Sequence, residues 1–475
     1  MMSASIALGG TSGCTRNPPE HILPYQRQPE EIIPGKPLYF ATALTLGGYA
    51  RGVLVETHEG RPTKIEGNPQ HPASLGASDV FMQAELLTLY DPQRSLAVTR
   101  AGQISTWDIF IGELTTAAQN WKTNSGAGLR ILTRHETSPT FLDQMHRLLA
   151  KYPAAKWHEW EPLQVQQPQA IYHFDKAQVV VSFGADFLAS GPMSLRYARD
   201  FAAARRPNNG AMNRLYVAES TPSLTGAMAD HRMILRPDEI EKFASELESG
   251  ANPTAKLIGD DLRAHADKSL VVAGEFESAA THDAVQQLNE SLGNIGATID
   301  YVAAPNNGAR DLRELVDEIN AGAVETLLII GGNAVYDAPA EFEFAKLVPK
   351  VKRSVHVGIY PDETAHLCQW HVREAHELET WSDAAALDGT VTIMQPMIDP
   401  LFAGRSRHEL LSALLEEAPS SSYDIVRAFW QTQHNGADFE NAWRKSLHDG
   451  IGNLLAVTSS PTAPASPQIS NQKSE

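Results

Sequence analysis

The stretch Glu59–Gly76, EGRPTKIEGNPQHPASLG, decides how the N-terminal part of the chain is interpreted. Gly60-Arg61-Pro62 and Gly67-Asn68-Pro69 are turn signals, and the short run between them is typical of a strand. Pro69 favours an extended backbone at Asn68. A rigid loop of this kind can hold backbone N–H groups and side chains such as His71 against a large polar ligand. Two ordinary β-turns account for the same composition, so both interpretations stay open at this point.

The segments around this stretch alternate between strand and helix patterns. Leu38–Thr42, Gly52–Thr57 and Pro62–Ile65 predict a small β meander. Further on, apolar runs such as Gln178–Phe183 alternate with amphipathic helices, and this order predicts parallel sheets covered on both faces. Residues 250–265 are polar and indicate a linker. We therefore expect, in chain order, a β-rich domain at 38–100, a discontinuous α/β domain at 101–168 and 266–404, an α/β domain inserted at 169–265, a helical segment at 405–455 and a disordered tail at 456–475.

Charge and cysteine content exclude several classes of protein. The 475 residues carry a net charge of −18, which argues against a nucleic-acid partner and against charge-driven binding of anionic lipid. The two cysteines, Cys14 and Cys368, are too few for a four-cysteine iron–sulfur cluster or zinc site within this chain. For Cys368 a buried structural thiol is favoured over a metal ligand. No apolar run is long enough to predict a transmembrane helix.

The N-terminal segment indicates export. Ser5–Cys14 places small residues before a single cysteine, so residues 1–14 are expected to be the remnant of an export signal and lipobox, with Cys14 as the lipidated residue. A disordered N-terminal tail is the alternative. Residues 15–37 are rich in proline and charge, and they predict an extended strap that lies on a partner or on its own domain.

Several later segments place glycine, acidic and amide residues after apolar strands, where ligands bind in open α/β sheets. Together with the loop at Glu59–Gly76, they resemble the cofactor-facing segments of the molybdopterin oxidoreductases over roughly residues 38–415. The resemblance implies a multi-domain α/β fold with parallel, doubly wound sheets plus a small N-terminal β meander. Loop geometry and helix capping explain each residue taken singly about as well. The residues that the resemblance places near the family's two pterin–guanine dinucleotides are Gly67, Asn68, His71, Gly184, Asp186, Glu219, Ser220, Arg236, Gly332 and Asn333.

A narrower resemblance concerns the strap Pro29–Thr42 and the runs Asp388–Pro396, Pro400–Ser406 and Phe429–Gln431. These are similar to the molybdopterin-enzyme-like iron–sulfur subunit of alternative complex III, of which this chain would be the N-terminal part. The resemblance implies export through the Tat route and a place on the periplasmic face of the membrane. It implies a role in passing electrons from quinol to an acceptor. Expected partners are the iron–sulfur, cytochrome c and quinol-binding membrane subunits.

The same resemblance bears on chemistry. The family uses bis-molybdopterin guanine dinucleotide and iron–sulfur clusters, with a metal-ligating Cys or Ser near the first α/β crossover. The matching stretch here, Thr133–Phe141, offers His135, Thr137, Ser138 and Thr140. The cysteine-rich region and the closing barrel of the family are also expected to be missing. We therefore expect no catalytic residue, no metal and no cofactor in this chain. The alternatives are a genuine molybdenum oxidoreductase fragment and a gene fragment that does not fold alone.

Overall fold

The computed structural model of the protein describes residues 32–162, 169–206, 212–302, 307–434 and 436–452. The expectations for residues 1–31, including the lipid on Cys14, and for the tail at 456–475 lie outside the described residues.

Strands and helices alternate along most of the chain. In order they are β1 (Leu38–Leu46), β2 (Tyr49–His58), β3 (Arg61–Gly67), α1 (Val80–Leu89), β4 (Val98–Arg100), β5 (Gln103–Ser105), α2 (Trp107–Thr123), β6 (Leu129–Thr133), α3 (Pro139–Lys151), β7 (Lys156–Glu159), β8 (Gln169–Tyr172), β9 (Val179–Phe183), α4 (Ser194–Ala204), β10 (Arg214–Glu219), α5 (Leu224–Ala227), β11 (His231–Ile234), α6 (Pro237–Ser249), α7 (Pro253–Ala264), β12 (Ser269–Ala273), α8 (Ala279–Ser291), β13 (Ile299–Val302), α9 (Leu312–Asn320), β14 (Thr326–Ile330), α10 (Ala334–Asp337), α11 (Phe344–Leu347), β15 (Arg353–Gly358), α12 (Glu363–Leu367), β16 (Trp370–Arg373), β17 (Ser382–Ala385), β18 (Val391–Met394), α13 (Arg407–Leu414), α14 (Ser422–Gln433) and α15 (Phe439–Asp449).

The predicted β meander is confirmed. Strands β1, β2 and β3 form an antiparallel sheet in that order, and α1 packs on one face of it. Alternation along the strands turns Val53, Val55 and Ile65 towards Met82 and Leu89 of α1. Because these side chains are removed from water together, the sheet and the helix form one core.

A seven-stranded sheet forms the larger α/β unit, with the spatial order β5-β4-β16-β15-β14-β6-β7. Strands β7, β6, β14, β15 and β16 run parallel, as the β-α-β order predicts. Helices α2, α3 and α13 pack on one face and α9 and α11 on the other. Since both faces are covered, the central strand β14 is buried along its whole length, and the predicted doubly wound α/β fold is confirmed.

A second parallel sheet has the order β11-β10-β9-β12, with α4 on one face and α6, α7 and α8 on the other. This topology does not match the domain boundary expected at residue 265, because β12 pairs with β9 over Ser269–Ala273. The linker expected at 250–265 is also wrong, since Pro253–Ala264 is a helix. The signal that reveals it is Asn252-Pro253, an N-cap residue followed by proline in the first turn.

Removing the cap of α7 is expected to cost about 1 kcal/mol of stability. Asn252 Oδ1 accepts from the amides of Thr254 (2.8 Å) and Ala255 (3.4 Å), and Asn252→Ala leaves both without that partner. Hydrogen exchange of the first-turn amides of α7 should accelerate about fivefold. Asn252→Asp, which keeps an acceptor, is the matched control. Equal exchange in the alanine and aspartate variants would contradict the assignment.

The C-terminal helices α13, α14 and α15 lie within or close to the segments expected to be helical. Ser406 caps α13, and the Ser406 amide in turn donates to the Glu409 carboxyl (2.8 Å). Trp430 of α14 is buried against Ile393 of β18. No helix among the described residues is long and apolar enough to cross a membrane.

Candidate functional site

The carboxyl ends of the parallel strands define the candidate site. In the seven-stranded sheet, Arg134 follows β6, Gly331-Gly332 follow β14 and Glu374 follows β16, so all of them lie at one edge. Ligands of open α/β folds bind at this edge because loops, helix N-termini and free backbone N–H groups meet there. The geometry of this edge therefore decides what the chain can hold.

The Arg134 side chain fills the turn after β14. Gly332 has φ +73, and a Cβ at this position would overlap with the Arg134 guanidinium. Arg134 is held there by an ion pair with Asp337. The cavity that remains beside the turn measures about 10 Å³, too small for more than one water molecule. Sites for cofactor-sized ligands span about 300 Å³ or more, so this turn is closed by its own arginine.

Asn333, predicted to face a dinucleotide, anchors α12 instead. Its Nδ2 donates to Glu363 (2.5 Å), and its Oδ1 accepts from the Thr364 hydroxyl (2.8 Å) and amide (3.3 Å). These bonds use both ends of the amide side chain. Asn333 therefore connects the carboxyl end of β14 to the loop that follows β15.

A chain of hydrogen-bonded imidazoles lies beneath this edge. His356 Nε2 donates to the Gly332 carbonyl (3.1 Å), so the neutral His356 ring accepts at Nδ1 from His371 Nδ1 (3.1 Å). His371 Nε2 then accepts from Ser95 Oγ (2.5 Å). Burial lowers the pKa of His356 to about 4 and that of His371 to about 3. Because every donor has one acceptor, both rings are neutral and each has a single tautomer.

The stretch that would carry the family's metal ligand is hydrogen-bonded within the protein. Ser138 and Thr140 donate their hydroxyls to the buried Asp383, and Trp430 Nε1 donates to the same carboxyl (2.7 Å). Thr137 Oγ1 donates to the Gly48 carbonyl (2.6 Å). His135 Nδ1 bonds Glu159 (2.8 Å). Burial raises the pKa of Asp383 even though its hydrogen bonds lower it.

An ion triad that sequence reasoning missed lies next to this stretch. Arg407 contacts Glu136 and bonds Glu374 through Nε (2.8 Å), and both carboxylates are buried. Burial raises the pKa of Glu136 to about 7, against the opposing effect of Arg407. Arg407 and Glu136 lie 271 positions apart in the sequence, so no local pattern indicates their contact. The triad connects the segments next to β6, β16 and α13 at the strand edge.

The edge of the four-stranded sheet holds the next group of predicted residues. Asp186 accepts from the amide (2.9 Å) and hydroxyl (2.8 Å) of Thr225, and the buried Glu219 pairs with Arg232 (2.5 Å). Ser220 is exposed, as is Arg236, which pairs with Asp238 (2.9 Å). These residues share an edge, but each is engaged by its neighbours or faces water.

A carboxylate closes the glycine turn at this second edge. Gly184 has φ +60, and a Cβ there would overlap with the Glu277 carboxyl. Burial raises the pKa of Glu277 and of the nearby Glu275. The space that a phosphate group would need at this turn is therefore occupied by the Glu277 side chain.

The N-terminal loop forms a third group. Asn68 Nδ2 donates to the Asp449 carbonyl (2.8 Å), and Gly67 lies against the backbone of Ala77. His71 is fully buried over Gly52, and burial lowers its pKa to about 4. The loop therefore joins the first sheet to the C-terminal helix α15, and Ala73 of the loop packs in one core cluster with Phe187, which follows β9.

Cys368 and its neighbouring histidines do not assemble a metal centre among the residues that the structure describes, where no group of three or more His, Cys, Asp or Glu is placed to hold an ion. Cys368 packs in the apolar core with α9 and α11. Burial raises the pKa of its thiol to about 12. A thiol of that pKa stays protonated at neutral pH, whereas metal ligation needs the thiolate.

The residues at both strand edges therefore do not fit a pterin–guanine dinucleotide. At the seven-stranded sheet the Gly332 turn is filled by Arg134, and at the four-stranded sheet the Gly184 turn is filled by the Glu277 carboxyl. The predicted site residues lie in three groups, two at the strand edges and one in the N-terminal loop.

Comparison with known proteins places the fold. No protein-family model matches the sequence. The chain is 23% identical over 485 residues to the menaquinone reductase, molybdopterin-binding-like subunit, of Nitratidesulfovibrio vulgaris strain Hildenborough, covering 86% of this chain and 70% of that protein. The structure of the present chain is similar to that of acetylene hydratase from Pelobacter acetylenicus. The TM-score is 0.62 and the identity is 12%, and the match covers 79% of this chain and 69% of acetylene hydratase. The fold is of the molybdopterin-oxidoreductase type, and the two comparisons support a molybdopterin-oxidoreductase-like family.

Proposed function

We propose that the chain is a cofactor-free, molybdopterin-oxidoreductase-like subunit of a membrane-associated complex that passes electrons between a quinol and an acceptor, as in alternative complex III. The observation that carries the proposal is the pair of closed glycine turns, one filled by Arg134 and the other by Glu277. The name of the relative, a menaquinone reductase subunit, supports a quinone-linked role. The chain would act as a scaffold between subunits that hold the redox groups.

The partners we propose are iron–sulfur, cytochrome c and quinol-binding membrane subunits on the periplasmic face. A chain of net charge −18 is poorly suited to attract anionic lipid by itself. Membrane association would then come from those subunits and from a lipid on Cys14, after export through the Tat route.

Elemental analysis tests the proposal. Full-length protein purified from membranes with its partners, and the chain purified alone, are analysed for molybdenum, tungsten and iron, and for pterin fluorescence after oxidation. The complex is expected to contain iron, while the chain alone contains neither metal nor pterin in stoichiometric amount. Molybdenum or tungsten at one per chain in the isolated protein would favour the genuine oxidoreductase instead.

The same preparation tests the assembly and the lipid. Tagged chain is expected to co-purify with membrane proteins that contain haem or iron–sulfur clusters. Mass spectrometry of the mature N-terminus is expected to show a lipid on Cys14. Recovery of the chain without any membrane protein would contradict the proposed complex, and an unmodified residue 14 would contradict the lipid anchor.

A further inference from the structure

One face of α1 is apolar and exposed. Val80 is 72% exposed, Leu87 76% and Phe81 56%, whereas Met82 and Leu89 on the opposite side are buried against the N-terminal sheet. Helical spacing puts Val80, Ala84 and Leu87 in one stripe with Phe81 beside it. The only charged residue of the helix, Glu85, is turned towards His376 (3.1 Å). An apolar stripe without charge, opposite the core face, indicates a contact surface.

The chain enters the described structure close to this helix. Leu38 at the start of β1 is paired with Thr57, and Thr57 is paired with Pro62 of β3. Tyr90, directly after α1, donates its hydroxyl to the Pro62 carbonyl (2.9 Å). Neighbouring strands lie about 4.8 Å apart. Leu38 of β1 is therefore roughly 10 Å from Pro62 of β3, to which the residue directly after α1 is bonded.

A turn precedes the entry into β1. The Lys36 amide donates to the Ile33 carbonyl (3.0 Å), and Gly35 has φ +78 after Pro34, as in a type II turn. The turn therefore reverses the direction of the chain just before β1. Phe40, two residues after the start of β1, is a further exposed apolar side chain near this entry point.

We propose that residues 21–25, His-Ile-Leu-Pro-Tyr, lie along the exposed stripe of α1 formed by Val80, Phe81, Ala84 and Leu87. The eight steps from Tyr25 to Ile33 reach about 26 Å when extended, more than the roughly 15 Å length of α1. Ile22, Leu23 and Tyr25 supply apolar side chains, and Pro29 in the spacer reduces the conformational entropy lost on docking. The strap therefore binds its own domain, and a second copy of the chain and another subunit are the competing occupants.

Cross-linking within the full chain tests this contact. In a Cys14→Ser background, Leu23→Cys is combined with Leu87→Cys, and a short bis-maleimide is added. The matched control combines Leu23→Cys with Leu257→Cys, a 61% exposed leucine of α7. Helix α7 packs on the face of the four-stranded sheet turned away from the N-terminal domain. The Leu87 pair is expected to cross-link within one chain at least about tenfold faster than the control, independently of dilution, because docking raises the local concentration.

Proteolysis gives a second measurement on variants that change only exposed side chains. Leu87→Ser is expected to speed tryptic cleavage after Arg27 several-fold, because the docked segment is released, while Leu257→Ser leaves the rate unchanged.

Equal cross-linking of the two cysteine pairs, or a cleavage rate unaffected by Leu87→Ser, overturns the proposal. Cross-links that join two chains and vanish on dilution also overturn it, and would assign the stripe to a second copy. Protection of Leu87→Cys from maleimide only when other subunits are present would overturn it in favour of a partner.

Discussion

Replacing Asp383 with alanine is expected to lower the free energy of unfolding by at least about 4 kcal/mol, because several buried donors lose their only shared acceptor. The Asp383 carboxyl accepts from the hydroxyls of Ser138 and Thr140, from the Thr140 amide (3.2 Å) and from Trp430 Nε1 (2.7 Å). Each buried donor left unsatisfied costs about 1–3 kcal/mol. The carboxyl also joins the N-terminus of α3 to α14, so its loss loosens two elements at once.

Urea unfolding followed by tryptophan fluorescence measures this effect. Asp383→Asn keeps one acceptor oxygen but turns an NH₂ group towards the other donors, so an intermediate loss is expected. Asp143→Ala, at an exposed ion pair with Arg147 on the same helix α3, is the matched control and should change stability by less than about 0.5 kcal/mol. A loss for Asp383→Ala no larger than that of the control would show that the network contributes little.

Acid is expected to destabilise the fold steeply between about pH 6.5 and pH 4. Burial lowers the pKa of His71 and His356 to about 4 and that of His371 and His408 to about 3, from an unfolded value near 6.5. In this window the unfolded chain binds protons that the native histidines reject, so stability is fully present above pH 6.5 and falls as pH falls. Each histidine contributes up to about 1.4 kcal/mol per pH unit.

Some buried carboxyls act in the opposite direction. Burial raises the pKa of Glu136 to about 7, so the native protein holds a proton there that the unfolded chain releases, and this stabilises the fold as pH falls towards 5. Burial also raises the pKa of Asp383, Glu275 and Glu277, so the measured slope is the sum of the histidine and carboxyl contributions. We expect a loss of stability in weak acid. The size of this loss measures the difference between the contributions of the buried histidines and those of the buried carboxyls.

Unfolding free energies at pH 7, 6 and 5 test this expectation. His408→Gln removes one buried imidazole that bonds Gln144 (2.8 Å) and Ser382 (2.9 Å), and should reduce the slope by about 1.4 kcal/mol per pH unit. His448→Gln, at a histidine whose side chain is 87% exposed, is the control and should keep the slope of the unchanged protein. A slope in His408→Gln equal to that of the unchanged protein would contradict a neutral, buried imidazole at this position.

The elements that sequence reasoning predicts correctly are those with strong local signals. Turn residues at Gly60 and Gly67 bound β3, and continuous apolar runs predict β9 and β14. The assignment of β12 to the four-stranded sheet could not be predicted, because an apolar strand looks alike in either parallel sheet. Helix α7 was missed because its polar surface residues outweigh the N-cap signal at Asn252.

The candidate site was predicted less well than the fold. Asn333 and Asp186 follow parallel strands as expected, yet their side chains bond neighbouring loops. Arg134 and Glu277, which close the two glycine turns, carry no local sign of that role. Arg407 and Asp383 reach the strand edge from distant segments, and only the folded chain brings them there.

The sequence by itself determined most of the strands, helices and turns, because periodicity and turn chemistry act over a few residues, and its resemblance to the molybdopterin oxidoreductases indicated the fold. Only the tertiary structure decided what lies at the strand ends. Arg134 meets Asp337 across 203 positions, and such a contact depends on the packing of whole sheets. A glycine turn looks the same in sequence whether it is open to a ligand or filled by a side chain, since the residue that fills it belongs to another part of the chain.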